Sequence, residues 1–159
     1  MKRALLSLAL LITVAAPRLF SRTIPTYTYD QLLAQSDFVV VARPLQKTHD
    51  TPERSTLRDV SPPVPVIGVE TQFETTWVLK GSKRDRFILH HYRERQLPPK
   101  HPSIETVVLD GLLLVKFDPK GYSEYLLFLV RERDGRFAPA GGQTDVDTVS
   151  VWRLSPVTR

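Results

Sequence analysis

The pair His90-His91, followed directly by Tyr92 and Arg93, is the densest group of side chains in the sequence that could take part in chemistry. A neutral imidazole can act as a general base or bind a transition metal near pH 7. The pair follows an apolar run that is typical of a β-strand. Successive side chains of a strand point to opposite faces, so His90 and His91 are predicted to point apart. A regular strand therefore argues against their joint ligation of one metal ion.

Other familiar chemistries lack a full set of residues. The remaining histidines, His49 and His101, lie in segments that contain proline, and no spaced metal-ligand motif is present. No nucleophile elbow of the glycine–serine–glycine type occurs. Glu70 and Glu74 would lie about 13 Å apart on one strand face, too far for a paired glycosidase site. We therefore predict no catalytic residues, no metal site and no cofactor, which favours a non-enzymatic protein.

The amino-terminal residues have the pattern of an export signal. The basic residues Lys2 and Arg3 precede an apolar run at 4–16. This order is typical of a secretory signal peptide, and the run is shorter than the roughly 20 residues that a membrane span needs. We predict a signal peptide at 1–22 and one exported domain at 23–159. The mature chain would have no membrane span and would lie in the periplasm, in the cell envelope or outside the cell.

Charge and cysteine content restrict the partners. The chain has 22 Lys and Arg against 17 Asp and Glu. A mature chain that begins at Thr23 would carry 18 basic and 17 acidic groups, and cleavage after Ala15 would leave 20 against 17. So small a net charge does not favour nucleic acid as a partner. The absence of cysteine excludes disulfides and thiol chemistry.

The first part of the predicted domain contains a helix, a strand and a long polar segment. Thr28 and Gln31 have the spacing of a capping box, which predicts a helix of two turns up to Ser36. The run from Asp37 to Arg43 is dense in β-branched residues and predicts a buried strand. The polar, proline-rich segment at 44–65 has neither hydrophobic period, and we predict that it is a long surface loop.

The clearest pattern in the sequence is an alternation of period 2. It predicts a long strand with one solvated face, bent or bulged if the strand follows a barrel, and only Val78 breaks it. The face predicted to be buried holds Val69, Thr71, Phe73, Thr75, Trp77 and Leu79. A turn at Lys80–Lys83 and a strand from Asp85 to Tyr92 follow.

The rest of the chain contains turn signals between short apolar runs. Asp110-Gly111 and Asp134-Gly135 each predict a two-residue β-hairpin turn. The run at 125–130 is apolar on both faces, which indicates a central strand, and 149–154 predicts a closing strand. The fold class is therefore all-β with one short amino-terminal helix, an antiparallel meander that closes into an OB-like barrel or a sandwich.

Four segments carry a family resemblance: YDQLLAQSDFVVVARP, ETQFETTWVLKG, FILHHYRE and YLLFLVRERDGRFAPAGGQTD. In this order they resemble small exported bacterial proteins of the planctomycete type, which supply no catalytic residues to transfer. More loosely, the strand after Ser-Asp, the strand that ends in VLKG and the YLLFL strand are similar to netrin modules and metalloproteinase-inhibitor domains. That similarity implies an OB-type five-stranded barrel. It does not imply inhibition, because those inhibitors insert an amino-terminal cysteine into the zinc site of the protease, and this chain has no cysteine.

We predict an exported, non-enzymatic binding or structural module of the cell envelope, with an envelope protein, peptide or glycan as its partner. The candidate ligand-binding residues are His91, Tyr92, Arg93, Gln143 and Asp145. An arginine fork and a tyrosine at this position could hold a carboxylate or a sugar. The alternative is a metal-binding or hydrolytic protein that uses His90 or His91 with Tyr92.

Overall fold

A computed structural model of the chain describes residues 26–58, 60, 63–96, 114–121, 123–143 and 149–154. The predicted leader and the predicted turn at Asp110-Gly111 lie outside these residues. The elements are α1 (Tyr29–Gln35), β1 (Phe38–Pro44), β2 (His49–Leu57), β3 (Val64–Lys80), β4 (Arg86–Glu94), a 3₁₀ turn (Pro119–Gly121), β5 (Glu124–Arg131), β6 (Phe137–Pro139) and β7 (Val151–Leu154). The prediction of strands with one short helix is confirmed.

Helix α1 begins at the predicted capping box. The backbone N–H of Gln31 donates to Thr28 Oγ1 at 3.2 Å, and Gln31 Oε1 accepts the N–H of Thr28 at 2.9 Å. Leu32 is the buried residue of the helix and packs against the outer face of the sheet. Ser36 ends the helix, since its backbone N–H and its hydroxyl both donate to the Leu32 carbonyl. Leu32 thus provides the buried contact between the helix and the sheet.

Five strands close into a barrel in the order β1-β3-β4-β6-β5, and β5 pairs back with β1. The barrel is the predicted all-β, OB-like one. It is not a plain meander, however, because β4 and β6 are parallel partners at Leu89 and Phe137. β5 has neighbours on both edges, with β1 on one side and β6 and β7 on the other, which confirms a central strand.

The predicted loop at 44–65 is wrong, because this segment contains β2. Its residues pair with the first half of β3, from His49 opposite Glu70 to Leu57 opposite Val64. None of the β2 residues is fully buried, so the strand needs no alternation of apolar residues. The hydrophobic pattern of the sequence therefore does not reveal β2. The backbone ladder instead holds this edge strand to β3. Pro52 is tolerated there because it lies at an irregularity of the pairing.

Strand β3 changes its buried face along its length. Up to Phe73 the predicted face is the buried one. The pairing with β1 then shifts register between Thr75 and Trp77. Beyond this shift Val78 packs against the core, while Trp77 and Leu79 are exposed. The predicted bulge is confirmed, but the predicted burial of Trp77 and Leu79 is wrong. A bulge adds a residue to one strand and so inverts the alternation that follows it.

Aromatic side chains fill the barrel. The Phe73 ring stacks on Phe87 at 5.4 Å between centroids and meets Phe117 edge-on at 4.9 Å. Phe38 and Phe137 extend this cluster toward the other end of the barrel. A second, smaller cluster lies outside the barrel under α1 and consists of Leu32, Val39, Phe128 and Val149.

Two turns depend on glycine. Gly81 has φ of +95°, and a Cβ there would lie 2.6 Å from the Asp37 carbonyl oxygen, so only glycine fits between β3 and β4. Gly135 has φ of +93° and turns the β5–β6 hairpin. The Glu132 N–H donates to the Arg136 carbonyl at 2.8 Å, so the loop has three residues rather than the two predicted.

Candidate functional site

The two adjacent histidines of β4 lie on opposite faces of the strand, as predicted. His91 points with Phe87 and Leu89 into the barrel and is 2% exposed. His90 points outward, yet it is only 3% exposed, because β2 and the β5–β6 hairpin cover it. The imidazoles therefore belong to two separate environments.

His91 belongs to the polar end of the barrel interior. Its Nε2 lies 2.9 Å from Thr71 Oγ1, which in turn lies 2.7 Å from Thr48 Oγ1. The Phe117 ring meets the imidazole edge-on at 5.1 Å. Burial lowers the pKa of His91 to about 3, and the neighbouring His90 contributes in the same direction. His91 is therefore a neutral, internal side chain near pH 7, out of reach of a ligand at the surface.

His90 has a carboxylate at each ring nitrogen. Nδ1 lies 2.9 Å from Glu132 Oε1, so the glutamate orients the ring. Nε2 lies 3.1 Å from Glu53 Oε2, a close contact that is not aligned as a hydrogen bond. Tyr92 packs against the ring at 5.2 Å, and its hydroxyl donates to Glu53. Burial, followed by that hydrogen bond, raises the pKa of Tyr92.

Arg136 extends this network along the sheet. Its Nη1 donates to Glu70 Oε1 at 2.8 Å, and its Nε donates to Asp134 Oδ2 at 2.8 Å. The other oxygen of Glu70 lies 3.2 Å from His49 Nε2. The charges of β2, β3, β4 and the β5–β6 hairpin are thus linked across the outer face of the sheet.

The network is better suited to joining strands than to chemistry. Neither nitrogen of His90 is directed at open solvent, since a glutamate oxygen lies within 3.1 Å of each. An open cavity of about 430 Å³ lies beside it, and Glu70 and Arg136 in its lining are paired with each other. Within the residues that the structure describes, no group of three or more His, Asp or Glu is arranged to hold a metal ion.

Replacing His90 with alanine is expected to lower the free energy of unfolding by about 2–3 kcal/mol. The change removes the buried ring that links Glu53 and Glu132. It leaves a cavity and two neighbouring carboxylates without a partner between them. The measurement is urea unfolding at pH 7. The matched control is His49→Ala, which also removes an imidazole beside a glutamate but has a side chain that is 61% exposed. The control should change stability by less than about 0.5 kcal/mol. Equal effects of the two changes would contradict the joining role of His90.

The structure distributes the predicted ligand-binding residues over several environments. His91 is internal and Tyr92 is bound to Glu53. The guanidinium of Arg93 pairs with both oxygens of Asp50 on β2, at 2.8 and 2.5 Å.

Gln143 does approach β4. Its Nε2 lies 3.4 Å from the His90 carbonyl oxygen. Asp145 lies outside the described residues. The described members of the predicted set are therefore occupied by contacts within the protein.

A row of apolar side chains that the sequence pattern does not predict crosses the outer face of the barrel, with exposed tryptophans at its two ends. Val41 of β1 is paired with Trp77 on one side and with Leu126 on the other, and Leu126 is paired with Trp152. These side chains follow one another across four strands, about 14 Å from end to end at three interstrand spacings. Trp77 is 68% exposed and Leu79, two residues on, is 62% exposed. Val78, the one break in the alternation, was the signal that could have revealed them.

Helix α1 extends this row at the Trp152 end. Tyr29 is 59% exposed, and its ring lies 5.8 Å from Trp152 and 6.1 Å from Phe128. We name the combined surface the aromatic band; it consists of Tyr29, Val41, Trp77, Leu79, Leu126 and Trp152. Polar pairs border it, with Thr76 Oγ1 donating to Glu124 at 2.7 Å and Arg43 bound to Glu74. The band therefore has an apolar centre and a hydrogen-bonded rim.

No helix in the described part of the chain is long and apolar enough to cross a membrane. Comparison with models of protein families finds none that matches this chain, and comparison with curated proteins finds no similar sequence.

Proposed function

We propose that this chain is an exported, non-enzymatic module that binds a protein of the cell envelope through the aromatic band. The proposal rests on one observation: two tryptophans, a tyrosine and a leucine are exposed on one face of a closed barrel. The core of a protein interface is rich in aromatic residues and poor in charge, and its rim is polar. The aromatic band has this organisation. The pattern of the amino-terminal residues supports export.

The composition of the band favours a protein over a glycan. Trp77 and Trp152 could each stack on a sugar ring. The neighbouring side chains of Val41, Leu79 and Leu126, however, cannot form hydrogen bonds with the hydroxyl groups of a sugar. Aliphatic and aromatic groups together match a partner that presents apolar side chains. A metal-binding or hydrolytic role at His90, His91 and Tyr92 is not favoured, because these side chains diverge or are bonded within the protein.

The test begins with protein purified from cells that express the full chain, which is used to capture a partner from a cell-envelope extract. The affinity for the purified partner is then measured by titration calorimetry. Trp77→Ala is expected to weaken binding by about tenfold or more, as for an exposed aromatic residue that an interface buries. The matched control is Ile88→Ala, which removes an exposed apolar side chain of β4 outside the band. The control should bind as the wild type does.

Three results would contradict the proposal. Unchanged affinity in both Trp77→Ala and Trp152→Ala would remove the aromatic band as the binding surface. Retention of envelope polysaccharide, with no protein, would show a glycan partner. Concentration-dependent dimers in sedimentation velocity that Trp77→Ala abolishes would show that a second copy covers the band.

A further inference from the structure

A groove beside the parallel strand pair contains several arginines. It has a volume of about 360 Å³, and its lining includes Gln72, Arg84, Arg86, Ile88, Gly135 and Phe137. Arg84 and Phe137 also line a neighbouring cavity that reaches Arg131. The volume is at the lower end of the range of ligand sites. We name these two neighbouring cavities, which share Arg84 and Phe137, the arginine groove.

The pairing of the strands explains why the groove is open. β4 and β6 are joined only at Leu89 and Phe137, so the first residues of β4 have no backbone partner on the side of β6. The side chains of Arg86 and Ile88 are exposed there. The groove is thus a gap in the barrel wall, and the buried Phe137 ring forms part of its floor.

Three of the arginines at the groove have no acidic partner among the residues that the structure describes. Within the described part of the chain, no carboxylate lies within 4 Å of the guanidinium groups of Arg84, Arg86 and Arg131. Glu74, the cross-strand neighbour of Arg86, is bound instead by Arg43 of β1.

Two carboxylates line the groove, and each accepts a hydrogen bond. Asp134, in the groove lining, accepts from Arg136 at 2.8 Å. Asp37, in the second cavity, accepts the backbone N–H of Arg131 at 2.8 Å. Asp134 is thus paired with Arg136, whereas Asp37 keeps its negative charge, because a backbone N–H does not neutralise a carboxylate. The three guanidinium groups outnumber this one remaining carboxylate of the lining, which leaves net positive charge at the groove.

Two of these guanidinium groups lie beside the apolar floor of the groove. Arg84 Cζ lies 5.6 Å above the centre of the Phe137 ring, a cation–π arrangement that holds the planar group in place. The Arg131 guanidinium comes within 3.9 Å of the position that a Cβ on Gly135 would occupy. A side chain at residue 135 would thus fill space beside this charge.

We propose that the arginine groove binds a small ligand with an oxyanion, a carboxylate or a phosphate ester, attached to an apolar group. Arginine forks bind carboxylates and phosphates through two parallel hydrogen bonds. The apolar part of the ligand lies against Phe137 and Ile88, while the oxyanion meets Arg84 and either Arg86 or Arg131. This site is independent of the aromatic band and does not require the protein partner.

The test is an NMR titration of the purified protein at low salt with benzoate, phenyl phosphate and inorganic phosphate. We expect at least one of the first two to shift the signals of the groove residues and to bind about tenfold or more tightly than inorganic phosphate. Arg84→Ala should weaken that binding by about tenfold, and Arg86→Ala or Arg131→Ala by severalfold. Added sodium chloride should lower the affinity. Arg84→Lys should restore only part of it, because the ammonium has no fork.

Two controls separate a built site from general attraction. Arg54→Ala removes an exposed guanidinium of β2 whose hydrogen bonds go to backbone carbonyls, and it should leave the affinity unchanged. Trp77→Ala should also leave it unchanged, so failure here is distinct from failure of the aromatic band. Equal weakening by Arg54→Ala and Arg84→Ala, or full binding in all three groove variants, would overturn the proposal. Equal affinity for inorganic phosphate and phenyl phosphate would overturn the apolar part of the site.

Discussion

Phe73→Ala is expected to lower the free energy of unfolding by about 3–5 kcal/mol, the usual cost of removing a buried phenylalanine. Phe73 is 0% exposed and contacts the rings of Phe87 and Phe117. It also lies where β3 is paired with β1 on one edge and with β4 on the other. The change therefore leaves a cavity that three strands share. The measurement is urea unfolding followed by circular dichroism.

The matched control for Phe73 lies on the same strand. Trp77→Ala removes a larger ring that is 68% exposed, and it should change stability by no more than about 0.5 kcal/mol. The pair also separates folding from binding, since Trp77→Ala should fold normally and bind the envelope partner about tenfold or more weakly. Similar destabilisation by the two changes would contradict the face change along β3.

The stability of the protein is expected to fall steeply in acid because of His91. Burial lowers the pKa of this imidazole from its usual value of 6.5 to about 3. Between these values the unfolded chain takes up a proton at residue 91 and the folded chain does not. The contribution of neutral His91 to the free energy of unfolding is therefore present in full above pH 6.5. It is lost as the pH falls toward 3, at up to about 1.4 kcal/mol per pH unit.

The measurement is the free energy of unfolding in urea at several values between pH 7 and 4. Unfolding of His91→Gln should take up about one proton fewer than unfolding of the wild type, which makes the slope of stability against pH smaller. Between pH 7 and 4 the variant should therefore lose about 3 kcal/mol less stability than the wild type. Leu89→Ala is the control, because it removes an apolar neighbour on the same face of β4. It should lower stability by a similar amount at every pH and keep the wild-type slope. A wild-type slope in His91→Gln would show that His91 takes up its proton equally in the folded and unfolded chains.

Elements with a strong local signal could be predicted. The capping box at Thr28 and Gln31 specifies where α1 begins, because both of its hydrogen bonds join residues three apart. The apolar run at 125–130 indicates a strand buried on both faces. The opposite directions of His90 and His91 follow from the alternation of any regular strand. These features depend on neighbours in sequence, and so they are visible in it.

The candidate site could be predicted only in part. Tyr92, Arg93 and Gln143 are polar, but their partners come from residues 39, 43 and 53 positions away. No local pattern shows that Asp50 and Glu53 will meet β4, since both lie on a strand with no apolar period. A residue that looks available in the sequence can therefore be fully engaged in the folded chain.

By itself, the sequence determined the all-β class, the short helix, the central strand and the positions of the turns at Gly81 and Gly135, because these follow from propensity, capping and hydrophobic period. Only the tertiary structure decided the pairing of β2, the exposure of Trp77 and Leu79, and the arrangement of Arg84, Arg86 and Arg131 around Phe137. Each of these results depends on strand register or on contacts between segments that are distant in the chain. A register shift of one residue reverses the faces of a strand, and a gap between two strands leaves no mark on the sequence of either.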